Sequence, residues 1–281
     1  MRPRLPDPGE IPLPSSALSI IFNNVWFSYK TSYTSGFDNA RGITNERRKN
    51  NNQKDWILQD VSFTLPAGKT LGILGHTGSG KSTIARLLLR FYDIDRGTIR
   101  LGDVEIDQTP LSDLRERVEI VTQDVRLFQA SIRDNLTLFD SDIDDEEISS
   151  MLELLGITDW LRSLQGGLDT IIDPDSSGLS AGQDQLLSFA RVFLKDPGLV
   201  ILDEASSRLD PTTEMLIKRA TEKLLKHRTA IIIAHRLKTI QKADQILILE
   251  RGKVAEYGDR ATLAQDSHSR FSSLLKLNKG F

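Results

Sequence analysis

The sequence predicts an α/β fold, a mostly parallel sheet flanked by helices. Three observations lead there. Short apolar strand patterns alternate with helical ones from Thr70 to Glu250. One strand, Thr70–Leu74, runs into a glycine-rich turn and then an amphipathic helix. Another, Leu199–Leu202, ends in the carboxylates Asp203 and Glu204. The chain has 281 residues, 39% hydrophobic and 27% charged, enough to bury a real core in one large domain or two small ones. Lys and Arg total 36 against 39 Asp and Glu, a net charge of −3, which argues against gripping nucleic acid by bulk charge. Cysteine is absent. That excludes a disulfide scaffold, a thiol nucleophile and a thiolate zinc site. No apolar run reaches the roughly 18–20 residues that cross a bilayer, and the first fourteen residues lack the apolar stretch of a signal peptide.

Residues 1–17 read as an extended linker, because Pro3, Pro6, Pro8, Pro12 and Pro14 preclude a helix. Residues 18–281 are then the folded domain. IIFNNVWFSYK at 20–30 is rich in β-branched and aromatic residues and reads as a strand. Residues 31–55 are polar, with Asn50–Asn52 and the basic cluster Arg47, Arg48 and Lys49. They read as a long mobile loop; a basic patch meeting lipid headgroups or a partner is the alternative. A strand follows over 57–66, closed by Pro66-Ala67-Gly68, and Thr70–Leu74 is the next. The helix from Ser82 to about Phe91 carries Ile84, Leu87, Leu88 and Phe91 on one stripe. Strand-like pieces recur at Thr98–Leu101 and Val118–Thr122. Residues 125–195 turn helical, with an apolar face at Ile148, Met151, Leu152 and Leu155 and a stop at Gly156. The acidic run Asp140–Glu147 reads as negative charge at a helix start rather than as a metal site. Strand patterns return at Leu199–Leu202, Thr229–Ala234 and Gln245–Glu250.

The chemistry begins with Gly75-His76-Thr77-Gly78-Ser79-Gly80-Lys81-Ser82, the pattern of a phosphate-binding loop. Glycines let successive backbone N–H groups turn inward on phosphate oxygens, and the following helix offers its positive end. Gly75, Thr77, Gly78, Ser79, Gly80, Lys81, Ser82 and Thr83 are therefore the expected cradle. Lys81 reaches the β- and γ-phosphates, and the Ser82 hydroxyl suits Mg²⁺. Asp203 is expected beside this loop as a second Mg²⁺ ligand, direct or through water. Glu204 points toward the γ-phosphate and the attacking water, to orient it or take its proton.

Leu179-Ser180-Ala181-Gly182-Gln183 resembles the signature of ABC-type ATPases, usually written LSGGQ. Other motifs of that family follow in its order. Gln123 resembles the Q-loop glutamine, Ser206–Asp210 the D-loop, His235 the switch histidine, and Tyr29 the aromatic that stacks on adenine. The resemblance covers roughly residues 18–277. It implies a P-loop NTPase core with a small antiparallel β subdomain and a helical subdomain inserted at 125–195. It implies ATP and Mg²⁺ as ligands and hydrolysis as the activity, with Lys81, Gln123, Glu204 and His235 as the catalytic set. Gln123 would also sense the metal. Ser180, Gly182, Gln183 and Asp210 would act across a head-to-tail dimer, on nucleotide held by a second ATPase domain. Two residues depart from the pattern: Ala181 replaces the commoner glycine, and Asp184 stands where a basic residue is common.

Residues 91–139 most resemble the ATPase half of an exporter. That resemblance implies transmembrane partner domains and a position on the cytoplasmic face of the membrane, with no nucleic acid partner. The chain would be a domain separated from its membrane helices, or a subunit paired with them. An importer ATPase, a non-transport ABC ATPase, and either a homodimer or a heterodimer stay open.

Overall fold

Apolar side chains facing alternately to either side along three strands organise the fold. In the computed structural model, Leu199 and Ile201 face one apolar cluster while Val200 and Leu202 face another. Ile231 and Ile233 alternate with Ile232, and Leu247 and Leu249 with Ile246 and Ile248, in the same way. A sheet buried on both faces needs such continuous apolar runs. The structure describes residues 9–29, 54–122, 125–173, 179–203, 211–226, 228–234 and 237–278.

The strands are β1 (Ile20–Phe27), β2 (Leu58–Leu65), β3 (Thr70–Leu74), β4 (Arg96–Leu101), β5 (Val104–Glu105), β6 (Val118–Thr122), β7 (Ala130–Ser131), β8 (Ile171–Ile172), β9 (Leu199–Asp203), β10 (Thr229–Ile233), β11 (Gln245–Glu250) and β12 (Lys253–Asp259). The helices are α1 (Lys81–Leu88), α2 (Leu111–Arg117), α3 (Ile132–Thr137), α4 (Asp145–Leu155), α5 (Thr158–Ser163), α6 (Ala181–Lys195), α7 (Pro211–Leu224), α8 (Arg260–Gln265) and α9 (Arg270–Asn278). The main sheet has the order β12-β11-β3-β10-β9-β6, parallel except for the edge strand β12. A second, antiparallel sheet runs β2-β1-β4-β5 and covers the α1 side, with Phe22 stacked on Phe63 at 4.6 Å. The other face of the main sheet carries α4, α6 and α7, whose apolar stripes share one cluster. The small antiparallel sheet and the helical insertion thus accompany a P-loop-type core.

Two expectations need correcting. The helix after the glycine turn closes at Leu88: Arg90 takes φ 46°, the chain swings outward, and Phe91 is 58% exposed instead of joining the stripe. The segment just before residue 18 is docked rather than free. Leu13 is buried, its N–H donates to Asp113, and the Arg117 guanidinium donates to the carbonyls of Pro14, Ser15 and Ser16. In the main sheet β10 lies between β3 and β9, so Asp203 ends a strand two positions from the loop's strand. Residues 31–53 of the loop read at 31–55 and the motif positions Gln123, Glu204, Ser206–Asp210 and His235 lie outside the described residues.

Candidate active site

β3 delivers the chain into the turn at Gly75, and the turn ends where α1 begins at Lys81. Two glycines are required on geometric grounds. Gly75 has φ 153°, and a side chain there would collide with the Leu249 carbonyl. Gly80 has φ 106°, and a Cβ would come within 2.6 Å of the Leu58 side chain. The turn is pinned from outside as well, since Gly252 N–H donates to the Ser79 carbonyl at 3.1 Å. No side chain caps α1, so the first turn keeps the character of an anion site.

Inside this turn the side chains converge. Lys81 is 5% exposed, and its ammonium donates to the carbonyls of Gly75 at 2.8 Å and His76 at 3.1 Å. Ser79 is buried too, and its Oγ has no hydrogen-bond partner among the described residues. A buried hydroxyl without a partner is costly, and a phosphate oxygen would satisfy it. Ser82 is exposed on the first turn of α1, as a metal-ligating hydroxyl must be. The glycine turn, the orphaned hydroxyl and the lysine therefore fit a phosphate group, and Ser82 fits Mg²⁺ beside it.

Thr83 is buried, and its Oγ1 lies 3.1 Å from the Tyr29 hydroxyl. Tyr29 is half-buried, set edge-on against Phe27 at 4.9 Å and Tyr92 at 5.0 Å. Arg86, unremarked in the sequence, also reaches this residue: its Nη1 donates to the Tyr29 hydroxyl at 2.9 Å. That hydrogen bond, with smaller contributions from Tyr92 and Asp203, raises the guanidinium above its ordinary pKa. Arg86 thus feels both the aromatic and the carboxylate at the end of β9. Its spacing from Ser82, one helical turn, was the available signal.

The strands leading to the remaining catalytic candidates reach the same edge. β6, β9 and β10 are parallel, and Thr122, Asp203 and Ile233 sit in register at their ends. Ligands of such sheets bind at the carboxyl ends of the strands.

The signature residues form a separate group at the start of α6. Ser180 Oγ accepts from Gln183 N at 3.3 Å, and Gln183 Oε1 accepts from Ser180 N at 2.8 Å, a reciprocal cap. Gly182 packs on α7, where any side chain would strike Thr213. Asp184 is half-buried with an unpartnered Oδ1, and burial raises its pKa above the usual Asp range.

Farther along α6, the half-buried Arg191 guanidinium donates to Asn135 O (2.6 Å), Asn135 Oδ1 (2.9 Å) and Arg126 O (3.0 Å). Burial lowers its pKa. It borders a cleft of about 350 Å³ with Thr122, Val125 and Leu138. Nearby, Phe128 and Phe139 pair edge to face at 5.5 Å while 49% and 59% exposed.

The chain is similar to known proteins over most of its length. The family model described as ABC transporter matches residues 58–207. The ABC transporter ATP-binding protein YknV of Bacillus subtilis is 43% identical over 75% of this chain and 35% of its own length. An ATP-dependent lipid A-core flippase of Pseudoalteromonas atlantica is 41% identical over 82% of this chain and 39% of its own. A solved structure described as a bacterial Atm1-family ABC exporter with ATP bound is 32% identical, with a TM-score of 0.78 over 98% of this chain and 44% of that one. The chain therefore spans well under half the length of these relatives.

Proposed function

The chain belongs to the ABC transporter family as one of its ATP-binding, ATP-hydrolysing domains, and from that premise we propose that it binds MgATP at Gly75–Thr83 and powers an exporter through transmembrane partner domains. The observation that carries this reading is the buried, unpartnered Ser79 hydroxyl inside a glycine turn beside Lys81.

Lys81, Ser79 and the backbone of Gly75–Gly80 hold the triphosphate, and Tyr29 meets the adenine. Ser82 and Asp203, with Gln123, hold Mg²⁺. Mg²⁺ held by these residues would supply charge neutralisation for the phosphates. Glu204 orients the attacking water or takes its proton, and His235 holds the γ-phosphate side. Ser180, Gly182, Gln183 and Asp210 complete the site of a second ATPase domain. Docking of transmembrane domains is supported by the exposed Phe128–Phe139 pair beside the cleft at Val125, because such solvent-facing aromatics mark interaction surfaces. In this reading the domain sits on the cytoplasmic face of a membrane.

Lys81→Ala tests the nucleotide site. Loss of a charge-assisted contact to the phosphates weakens MgATP binding by about tenfold or more. Equal affinity in the two proteins, measured by titration calorimetry, would refute the assignment.

A further inference from the structure

We infer that Arg86 is a positioning residue for the nucleobase: it fixes the Tyr29 ring against α1, so that adenine meets an aromatic already in place. This rests on the nucleotide-binding reading above and deepens it. Four contacts define the Tyr29 side chain. Phe27 and Tyr92 hold the ring by its edges, at interplanar angles of 85° and 81°. Thr83 and Arg86 hold the hydroxyl, at 3.1 and 2.9 Å. Arg86 can only donate, so the phenol oxygen accepts from it. In the bond to Thr83 Oγ1 either hydroxyl can be the donor.

The arrangement joins the base side of the site to its phosphate side. Thr83 follows Lys81 and Ser82 by one or two residues, and Arg86 lies on the same helix with its guanidinium 5.9 Å from the Tyr29 ring centroid. An unrestrained tyrosine would sample several rotamers, and stacking on a base would then carry the cost of stopping that motion. Arg86 is exposed, so the fold does not depend on it.

The test uses a fluorescent ATP analogue, ATP itself and inorganic tripolyphosphate with Mg²⁺. Arg86→Ala should weaken ATP binding about 3–10-fold, the scale of one ordinary hydrogen bond. Tripolyphosphate, which lacks a base, should bind as to the parent protein. Arg86→Lys, still able to donate to the phenol, should recover most of the loss. Tyr29→Phe should show a similar loss, and adding Arg86→Ala to it should weaken binding little further. In hydrolysis the change should appear in KM and not in kcat. Unchanged ATP affinity in Arg86→Ala, equal losses for ATP and tripolyphosphate, or additive losses with Tyr29→Phe would each overturn the inference. Parent protein that binds no ATP at all would instead sink the nucleotide reading on which it stands.

Discussion

Single residues in this chain serve two masters, and Asp184 and Gly182 show it. Gly182 sits in the signature, yet the start of α7 already forbids a side chain there, because Thr213 occupies the space. Asp184 carries a half-buried carboxyl with an orphaned oxygen. Burial holds its folded pKa above the unfolded value. The folded chain therefore binds that proton more tightly. The group favours folding most below its unfolded pKa, and the advantage is lost as pH rises through the folded value. At neutral pH its ionised form weighs against folding. Asp184→Asn should raise Tm at pH 7 by about 2 °C, and the gain should shrink as pH falls toward about 4. Melting curves at the two pH values decide it; a variant that melts lower at pH 7 and equally at pH 4 contradicts the sign. The glycine turn leading into α1 was legible from spacing alone, because it is a local device. Arg86 was not, because its partner Tyr29 lies 57 positions away.

Elements were legible where their signals are local. The acidic run before α4 reads as a helix start, and Asp144 indeed accepts from Glu146 N and Glu147 N, both at 2.9 Å. Asp144→Ala should cost about 1 kcal/mol and lower Tm by about 2–4 °C. An unchanged Tm by differential scanning calorimetry would show that α4 does not depend on this cap. Caps supplied from afar were invisible. Glu256 on β12 accepts from the N–H groups of Arg270 and Phe271 and so starts α9 from another strand. Helix ends also explain a basic cleft of about 700 Å³ beside residues 15–17. Lys223 donates to the Leu154 carbonyl near the end of α4, Arg228 to Leu224 at the end of α7, and Arg117 to Asp196 just past α6. Those cations satisfy carbonyls that each helix leaves open. The helix after the phosphate loop was read three residues too long, because Phe91 keeps the apolar period after the backbone has already turned at Arg90.

At the scale of the whole molecule, the parallel sheet was legible from alternating apolar strands, whereas strand order was not. Nothing local says that β10 separates β3 from β9, or that β1, β2 and β4 leave the main sheet. The described contacts of Ser180, Gly182 and Gln183 lie within α6 and on α7, which suits a role toward another protomer. ATPase activity per mole should therefore rise with protein concentration over about the micromolar range, as it does when a site is completed by association. Glu204→Gln should release almost no phosphate and should accumulate as a larger species with ATP on a sizing column. A flat dependence in protein that elutes as a monomer would contradict the shared site. One feature of the phosphate loop bears on how tightly it binds. Gly252 N–H clips the Ser79 carbonyl from the turn after β11, while Leu58 closes on Gly80 from β2. Held from two sides by distant strands, the loop is preorganised, so little of the free energy of association is consumed in freezing its backbone.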